Sequence, residues 1–348
     1  MKTVLHIIDR EKPDPAVLAE AASIIRKGGL VAFPTETVYG LGANGLDSSA
    51  VRRIFQAKGR PADNPLILHI AEKRELSTLV AVVPDWLEPV LEKYWPGPLT
   101  VVLPRLPIVP DIVTAGLDTV AVRLPSLSAA RELIRTAGVP IAAPSANLSG
   151  RPSPTTAEAV MSDMEGRIEM VLDGGPCEVG LESTVLDCSA KIPTILRPGG
   201  VTQEMLSECL LQVTVAGGNK ETESDTPRAP GMKYRHYAPS APLILLPYEP
   251  AGSAGELIRA VKAALAQGKT VGAIVEMENA SLLPREVIVA TCGSKGKRSQ
   301  AAAKLYEALR FFDKNPVDVI YMESVPEKGI GRALMNRLKK AASSYWEG

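Results

Sequence analysis

Short apolar runs, closed again and again by Gly, Pro, Ser or Thr, set the strongest limit on how this chain can fold. Residues 30–33, 66–70, 99–103, 120–124 and 139–143 form such runs, each four or five residues long. Runs of that length read as strands buried on both faces. Between them lie stretches with helical spacing. One covers residues 15–27 and ends at Gly28-Gly29, and another, near 49–57, is stopped by Gly59 and Pro61. Thr155-Thr156-Ala157-Glu158 opens a third with a capping-box pattern. Some strands follow one another closely, so the fold class is α/β, with a twisted mixed sheet rather than strict βαβ winding.

Four segments stand out as polar interruptions of this pattern: Pro34-Thr35-Glu36-Thr37-Val38-Tyr39-Gly40, Lys58-Gly59-Arg60-Pro61, Pro144-Ser145-Ala146-Asn147 and Ser183-Thr184. Each is expected at the end of a buried run. Hydroxyls, an amide and two cations at such places cost free energy unless they are paired. The carboxyl edge of an open α/β sheet is where ligands bind, so the pattern points to a small-molecule site.

Beyond residue 206 the pattern breaks. Residues 216–240 start as a polar linker and end in Met232-Lys233-Tyr234-Arg235-His236-Tyr237, which is too aromatic and cationic for a passive tether. Residues 243–246, 256–266, 271–275, 300–312, 317–322 and a last helix from Arg332 then alternate strand and helix. They predict a smaller Rossmann-like C-terminal α/β domain.

Composition excludes several classes. Lys+Arg and Asp+Glu are equal at 39 each. Residues 1–206 carry 20 basic and 24 acidic side chains, and residues 241–348 carry 15 and 11, so neither part has the footprint of a nucleic-acid binder. Cys177, Cys188, Cys209 and Cys292 share no short metal-type spacing and fit a reducing compartment. The apolar stretch 4–8 is too short for a signal sequence, and no run reaches membrane-span length. A cytoplasmic location and no membrane partner are expected.

Single motifs carry little weight. Gly40-Leu41-Gly42-Ala43-Asn44-Gly45 matches the dinucleotide fingerprint, but Pro34 interrupts the preceding strand and Leu46-Asp47-Ser48 separate the last glycine from the helix. It reads as a Gly-rich turn. His69 sits inside an apolar strand, as a satisfied core histidine would. With His6 and His236 it offers neither a zinc motif nor a triad, and there is no Walker-type loop. Lys58 and Arg60 suit a helix C-terminus, though Pro61 pre-organises Arg60 for a phosphate oxygen. Ser145 and Asn147 lie on one side of an extended segment.

Taken in order, these segments resemble the threonylcarbamoyl-AMP synthase family. The resemblance also rests on Trp95-Pro96-Gly97-Pro98-Leu99-Thr100, Val120-Ala121-Val122-Arg123, Leu181-Glu182-Ser183-Thr184-Val185 and Arg197-Pro198-Gly199. It implies a YrdC-like catalytic domain over residues 1–206, an interdomain linker over 207–240 that acts as a lid, and the C-terminal domain over 241–348. The implied reaction converts L-threonine, bicarbonate and ATP to threonylcarbamoyl-AMP and pyrophosphate, with Mg2+ carried on the ATP rather than in a protein cage. A separate tRNA-modifying transferase complex would then use the product; direct nucleic-acid binding by this chain stays open.

Carried over by position, the resemblance gives Lys58, Arg60, Ser145 and Asn147 the catalytic roles. Thr37, His69, Arg123 and Ser183 would hold threonine. Lys58, Arg60, Asn64, Thr119, the Ala143 backbone, Ser145, Asn147, Ser153, Arg197 and Tyr237 would hold ATP. Two other classes compete: a double-stranded RNA-binding protein, which the acidic first part disfavours, and a nucleotide-sensing regulatory protein.

Overall fold

The computed structural model describes residues 2–216, 237–248 and 254–346. Met232 to His236, the core of the expected lid, lie outside the described residues. The chain divides into two compact units. The first takes residues 1–149, 153–178 and 182–234, and the second takes 150–152, 179–181 and 235–348.

In the first unit the strands are β1 (Val4–Ile7), β2 (Val31–Phe33), β3 (Gly40–Asn44), β4 (Ile67–His69), β5 (Leu99–Pro104), β6 (Thr119–Arg123), β7 (Ile141–Ala142), β8 (Met170–Asp173), β9 (Thr184–Asp187), β10 (Thr194–Arg197) and β11 (Thr214–Val215). They form one mixed sheet in the order β1-β8-β2-β3-β7-β4-β6-β5-β9-β10-β11. The helices are α1 (Pro15–Arg26), α2 (Ser48–Lys58), α3 (Glu88–Tyr94), α4 (Asp111–Thr114), α5 (Ser128–Ala137), α6 (Ala157–Met164) and α7 (Gln203–Ser207). Local chemistry sets their ends. Asp14 caps α1 by accepting from Ala16 N, Pro15 takes the first helical position, and Gly59 closes α2 in the left-handed region.

Helices cover the sheet unequally. Side chains of α2, α3, α4, α6 and α7 join the main core on one face. On the other face α1 and α5 pack over the β1-to-β7 half, with Ile25, Leu133, Val31, Phe33 and Met170 between them. Over β4, β6, β5, β9 and β10 the apolar floor comes from strands alone: Ile67, Val102, Ala121, Val185 and Leu196. That bare half is where the polar segments converge.

In the second unit β12 (Leu243–Leu246), β13 (Val271–Val275), β14 (Ile288–Thr291), β15 (Val319–Glu323) and β16 (Ser344–Tyr345) form a parallel sheet in the order β14-β13-β15-β12-β16. Helices α8 (Gly255–Ala266), α9 (Arg298–Lys314) and α10 (Ile330–Ala341) alternate with the strands. Close packing on this sheet requires small backbone: a Cβ on Gly272 of β13 would lie 2.4 Å from the Phe312 ring of α9. No helix among the described residues is long and apolar enough to cross a membrane.

Two expectations need correction. The segment Gly40–Asn44 is a strand paired antiparallel with β2 and β7, not a Gly-rich turn. Lys58 is the last residue of α2 and Thr184 the first of β9, so those two segments do not close buried strands.

Candidate active site

Strand register aligns the polar residues in rows across the bare face. His69 pairs with Ile141 on one side and Arg123 on the other, Arg123 pairs with Thr100, Thr100 with Val185, and Val185 with Arg197. Paired residues share a face, so His69, Arg123, Thr100 and Arg197 form one polar row. Two residues along each strand lies an apolar row of Ala143, Ile67, Ala121 and Val102, with the Ala143 amide donating to Ile67 O at 3.0 Å. Thr119 starts β6 two residues further on. The bridge between Gly40 and Ser145 keeps the β3–β7 offset, which brings Ser145 to the same end. The two polar ends are four residues apart, or about 13 Å at the rise of a strand.

At the first end the loop before β3 folds over the sheet. Thr35 fixes it, since its Oγ1 donates to Val38 O at 2.6 Å and accepts from Val38 N at 3.3 Å. Tyr39 anchors the exit by donating its hydroxyl to Gly175 O at 2.7 Å. Burial, with Cys177 and Asp173 adding to it, pushes the Tyr39 hydroxyl pKa up. The loop delivers Thr37 to Arg123, whose Nη1 donates to Thr37 Oγ1 at 2.9 Å, while its Nε reaches Gly97 O at 3.3 Å. Ser183 is held by Thr100 Oγ1 at 2.7 Å and by Arg197, which donates to its carbonyl and hydroxyl. Gly199 permits this approach, because a Cβ there would stand 2.3 Å from Thr184 N.

His69 is buried at this end, with Nδ1 lacking a hydrogen-bond partner among the described residues and the ring edge-on to Phe33. Burial first, and the Arg123 charge second, lower its pKa from 6.5 to about 3. The ring is therefore neutral at physiological pH and offers an open nitrogen.

Sequence reasoning missed Glu36. Glu36 is 5% exposed, its carboxylate lies 2.7 Å from Arg123 Nη2, and neither oxygen has an aligned hydrogen bond among the described residues. The signal was present in the motif: a carboxylate between two threonines, in a loop with no solvent-exposed face.

At the second end Lys58, 3% exposed, donates to Ser145 O at 2.5 Å and Asn147 O at 2.6 Å. Ser145 Oγ donates to Asn147 Oδ1 at 2.6 Å. The three expected partners thus form one cluster. Arg60 Nη2 donates to the carbonyls of Asn64 and Pro65 at 3.3 and 3.2 Å. Asn64 is 1% exposed, and among the described residues neither its amide nitrogen nor its oxygen finds a partner. A buried amide with both ends open is costly unless a ligand meets it. Continuing the β4–β6 register back two residues sets Thr119 level with Pro65. Ser153 donates to Glu182 Oε1 at 2.6 Å. Tyr237 belongs to the second unit, where its ring stacks on Tyr306 at 5.2 Å. Among the described residues no group of three or more His, Cys, Asp and Glu side chains is placed to hold a metal ion.

Comparisons with known proteins give the family of the chain. Residues 23–199 match the Sua5/YciO/YrdC family, described as "Telomere recombination", and residues 201–343 match the "Threonylcarbamoyl-AMP synthase, C-terminal domain" family. The chain is 47% identical over 339 residues to a threonylcarbamoyl-AMP synthase of Bacillus subtilis, covering 97% of this chain and 96% of that protein. It is 46% identical over 333 residues to one from Pyrococcus abyssi, covering 96% of each. The crystal structure of the P. abyssi Sua5 protein complexed with L-threonine superposes with a TM-score of 0.92 at 44% identity, covering 99% of this chain and 100% of that one.

Proposed function

The chain belongs to the threonylcarbamoyl-AMP synthase family in its two-domain form, and from that premise we propose that the bare sheet face of the first unit carries the synthase site. Family membership makes the protein an enzyme of the nucleotidyltransferase type that forms threonylcarbamoyl-AMP in the service of tRNA modification. One observation supports the placement. Groups suited to an amino acid and groups suited to phosphate stand at opposite ends of one apolar floor, about 13 Å apart.

Threonine binds at the first end. Arg123 takes its carboxylate, Thr37 and Ser183 meet its polar atoms, and His69 accepts a hydrogen bond through its open Nδ1. Glu36 takes the ammonium, so the zwitterion lies along the Glu36–Arg123 pair with charges matched. ATP lies toward the second end. There Lys58, Arg60, Ser145 and Asn147 face its phosphates, and Asn64, Thr119, the Ala143 backbone and Ser153 complete its surroundings, while Arg197 meets it from the polar row of the first end. This donor set of cations, hydroxyl and amide fits phosphate oxygens and water. These groups and water would hold Mg2+ brought with ATP, which would supply charge neutralisation at the phosphates.

Only a neutral amine captures the carbon of bicarbonate, so a group beside it must hold the ammonium proton; we assign Glu36. Bicarbonate loses water as the carbamate forms. A carbamate oxygen then attacks the α-phosphorus, and pyrophosphate leaves with the electron pair of the broken P–O bond. No protein nucleophile takes part, and catalysis rests on alignment and charge neutralisation. Residues 207–240 serve as a lid, with Tyr237 on the nucleotide, and a separate transferase complex consumes the product. Release of pyrophosphate from ATP tests the reading. It should require both L-threonine and bicarbonate, serine should substitute poorly, and release without threonine would overturn it.

A further inference from the structure

The segment 34–40 gives the site Glu36 and Thr37, yet its tyrosine has no part in the reaction just described. Tyr39 is fully buried, and its ring fills part of the main core. A phenylalanine would fill that space as well, so packing alone does not account for the hydroxyl.

Tyr39 is bonded to three other segments of the first unit. Its backbone nitrogen donates to Pro154 O at 2.9 Å, next to Ser153. Its carbonyl accepts from Ala146 N at 2.9 Å, and Ala146 stands between Ser145 and Asn147. The hydroxyl donates to Gly175 O at 2.7 Å and accepts from Gly174 N at 3.3 Å. The pieces that supply Glu36 and Thr37, Ser145 and Asn147, and Ser153 thus meet at one residue. Both backbone bonds are open to any residue with an N–H at this position. Only the hydroxyl is particular to tyrosine.

What the hydroxyl grips is a braced turn. Gly174 and Gly175 follow β8, and Asp173 Oδ1 accepts from Gly175 N at 2.9 Å while lying 3.4 Å from the hydroxyl. A Cβ on Gly174 would stand 2.9 Å from Pro34 Cγ, so the start of the loop bears on the same turn as its end. Inside the loop the donors run in one direction. Thr35 Oγ1 gives its hydrogen to Val38 O, so the hydrogen between the Thr35 and Thr37 hydroxyls, 2.8 Å apart, comes from Thr37. Thr37 in turn accepts from Arg123 Nη1. This chain of donors ends at Val38, beside Tyr39. Where Tyr39 is held therefore decides where Glu36 and Thr37 stand against Arg123.

We propose, on the site reading given above, that Tyr39 is a positioning residue for both substrates. Through its hydroxyl on Gly174 and Gly175 it keeps the loop of Glu36 and the segment of Ser145 in one register, and it touches neither substrate.

Steady-state pyrophosphate release by the full chain tests this with Tyr39→Phe, which keeps the ring and removes the hydroxyl. KM for threonine and KM for ATP should both rise about threefold or more, and kcat should fall about tenfold or more, because small displacements of aligned groups are costly. A hydroxyl that only stabilised the fold would lower the melting temperature and, through the folded fraction, kcat, with both KM values unchanged. That pattern would overturn the proposal, and so would a rise in one KM alone. Asp173→Ala removes the brace from the turn and should give the same double rise in smaller measure. It decides the matter if Tyr39→Phe does not fold, and unchanged KM values in it would then overturn the proposal. Absence of threonine-dependent release by the unaltered protein would instead overturn the site reading, and the proposal with it.

Discussion

Glu36 Oε1 lies 2.7 Å from Arg123 Nη2 in a buried site, yet the two groups are not aligned as a hydrogen bond. Arg123 commits Nη1 to Thr37 and Nε to Gly97, which leaves Nη2 to face the Glu36 carboxylate as an ion pair. A pair of this kind stabilises the fold weakly, because desolvation offsets attraction. Its value lies in presenting a positive and a negative group side by side.

Glu36→Gln keeps the shape and removes the charge. Threonine KM should rise at least tenfold, as expected for losing a charge-assisted bond of about 1.5–3 kcal/mol. The maximal rate should also fall and regain part of its value at higher pH, where free amine is more abundant. Pyrophosphate release measured against threonine concentration at several pH values checks both. A rise in KM for ATP alone would show that Glu36 acts elsewhere.

Arg123→Ala should raise the threonine requirement by a similar factor and lower the melting temperature as well. It strands the Glu36 carboxylate, and breaking a buried pair costs about 3–5 kcal/mol. Adding Glu36→Gln to it should recover part of the stability without restoring threonine use, a result that thermal melts read directly.

Arg60→Ala acts at the other end of the floor. ATP affinity should fall at least tenfold, and threonine affinity should hold within about twofold, since contacts more than 10 Å apart are largely independent. Isothermal calorimetry with each substrate separates the two. Normal ATP binding by this variant would remove Arg60 from the phosphate site.

His69 gives a pH signature. Its folded-state pKa is lowered to about 3 from 6.5, so between those values the unfolded chain binds a proton that the folded chain refuses. Stability is then full above pH 6.5 and falls as pH drops toward 3, by at most roughly 1.4 kcal/mol per pH unit. Denaturant midpoints at pH 7, 6 and 5 should show this loss, and His69→Gln should flatten it. Equal slopes in the two proteins would mean that the ring is not held neutral.

The lid proposal for residues 207–240 predicts that a chain ending at residue 206 folds from its own core yet loses most synthase activity. Circular dichroism checks the first half and pyrophosphate release the second. Full activity in the truncated chain would reject the lid.

What the sequence made legible was local. The runs at 66–70, 99–103 and 120–124 became β4, β5 and β6 within a residue or so at each end, and Gly59 stopped α2 as its backbone freedom predicts. Long-range pairing stayed hidden. Val4–Ile7 looked only like a weak apolar stretch, and it is an edge strand because Met170–Asp173, more than 160 residues away, supplies its partner. His69 read as a core histidine because nothing in its neighbourhood shows that Arg123 stands beside it. Glu36 went unnoticed for the same reason. Its meaning comes from a neighbour 87 positions on in the chain.

Seen as a length standard, β4 and β6 together form a ruler. The distance between the two polar ends is counted in strand residues, so it changes only in whole steps of about 3.3 Å. A one-residue slip would turn His69 and Arg123 into the main core and bring Leu68 and Val122 to the bare face proposed for the substrates. A two-residue insertion in the middle of either strand would keep every side chain on its face and still lengthen that strand's part of the gauge by about 6.6 Å. The tolerance of this enzyme to change is therefore quantised. Side chains on the floor can vary in size, but the number of residues between the two ends cannot vary at all.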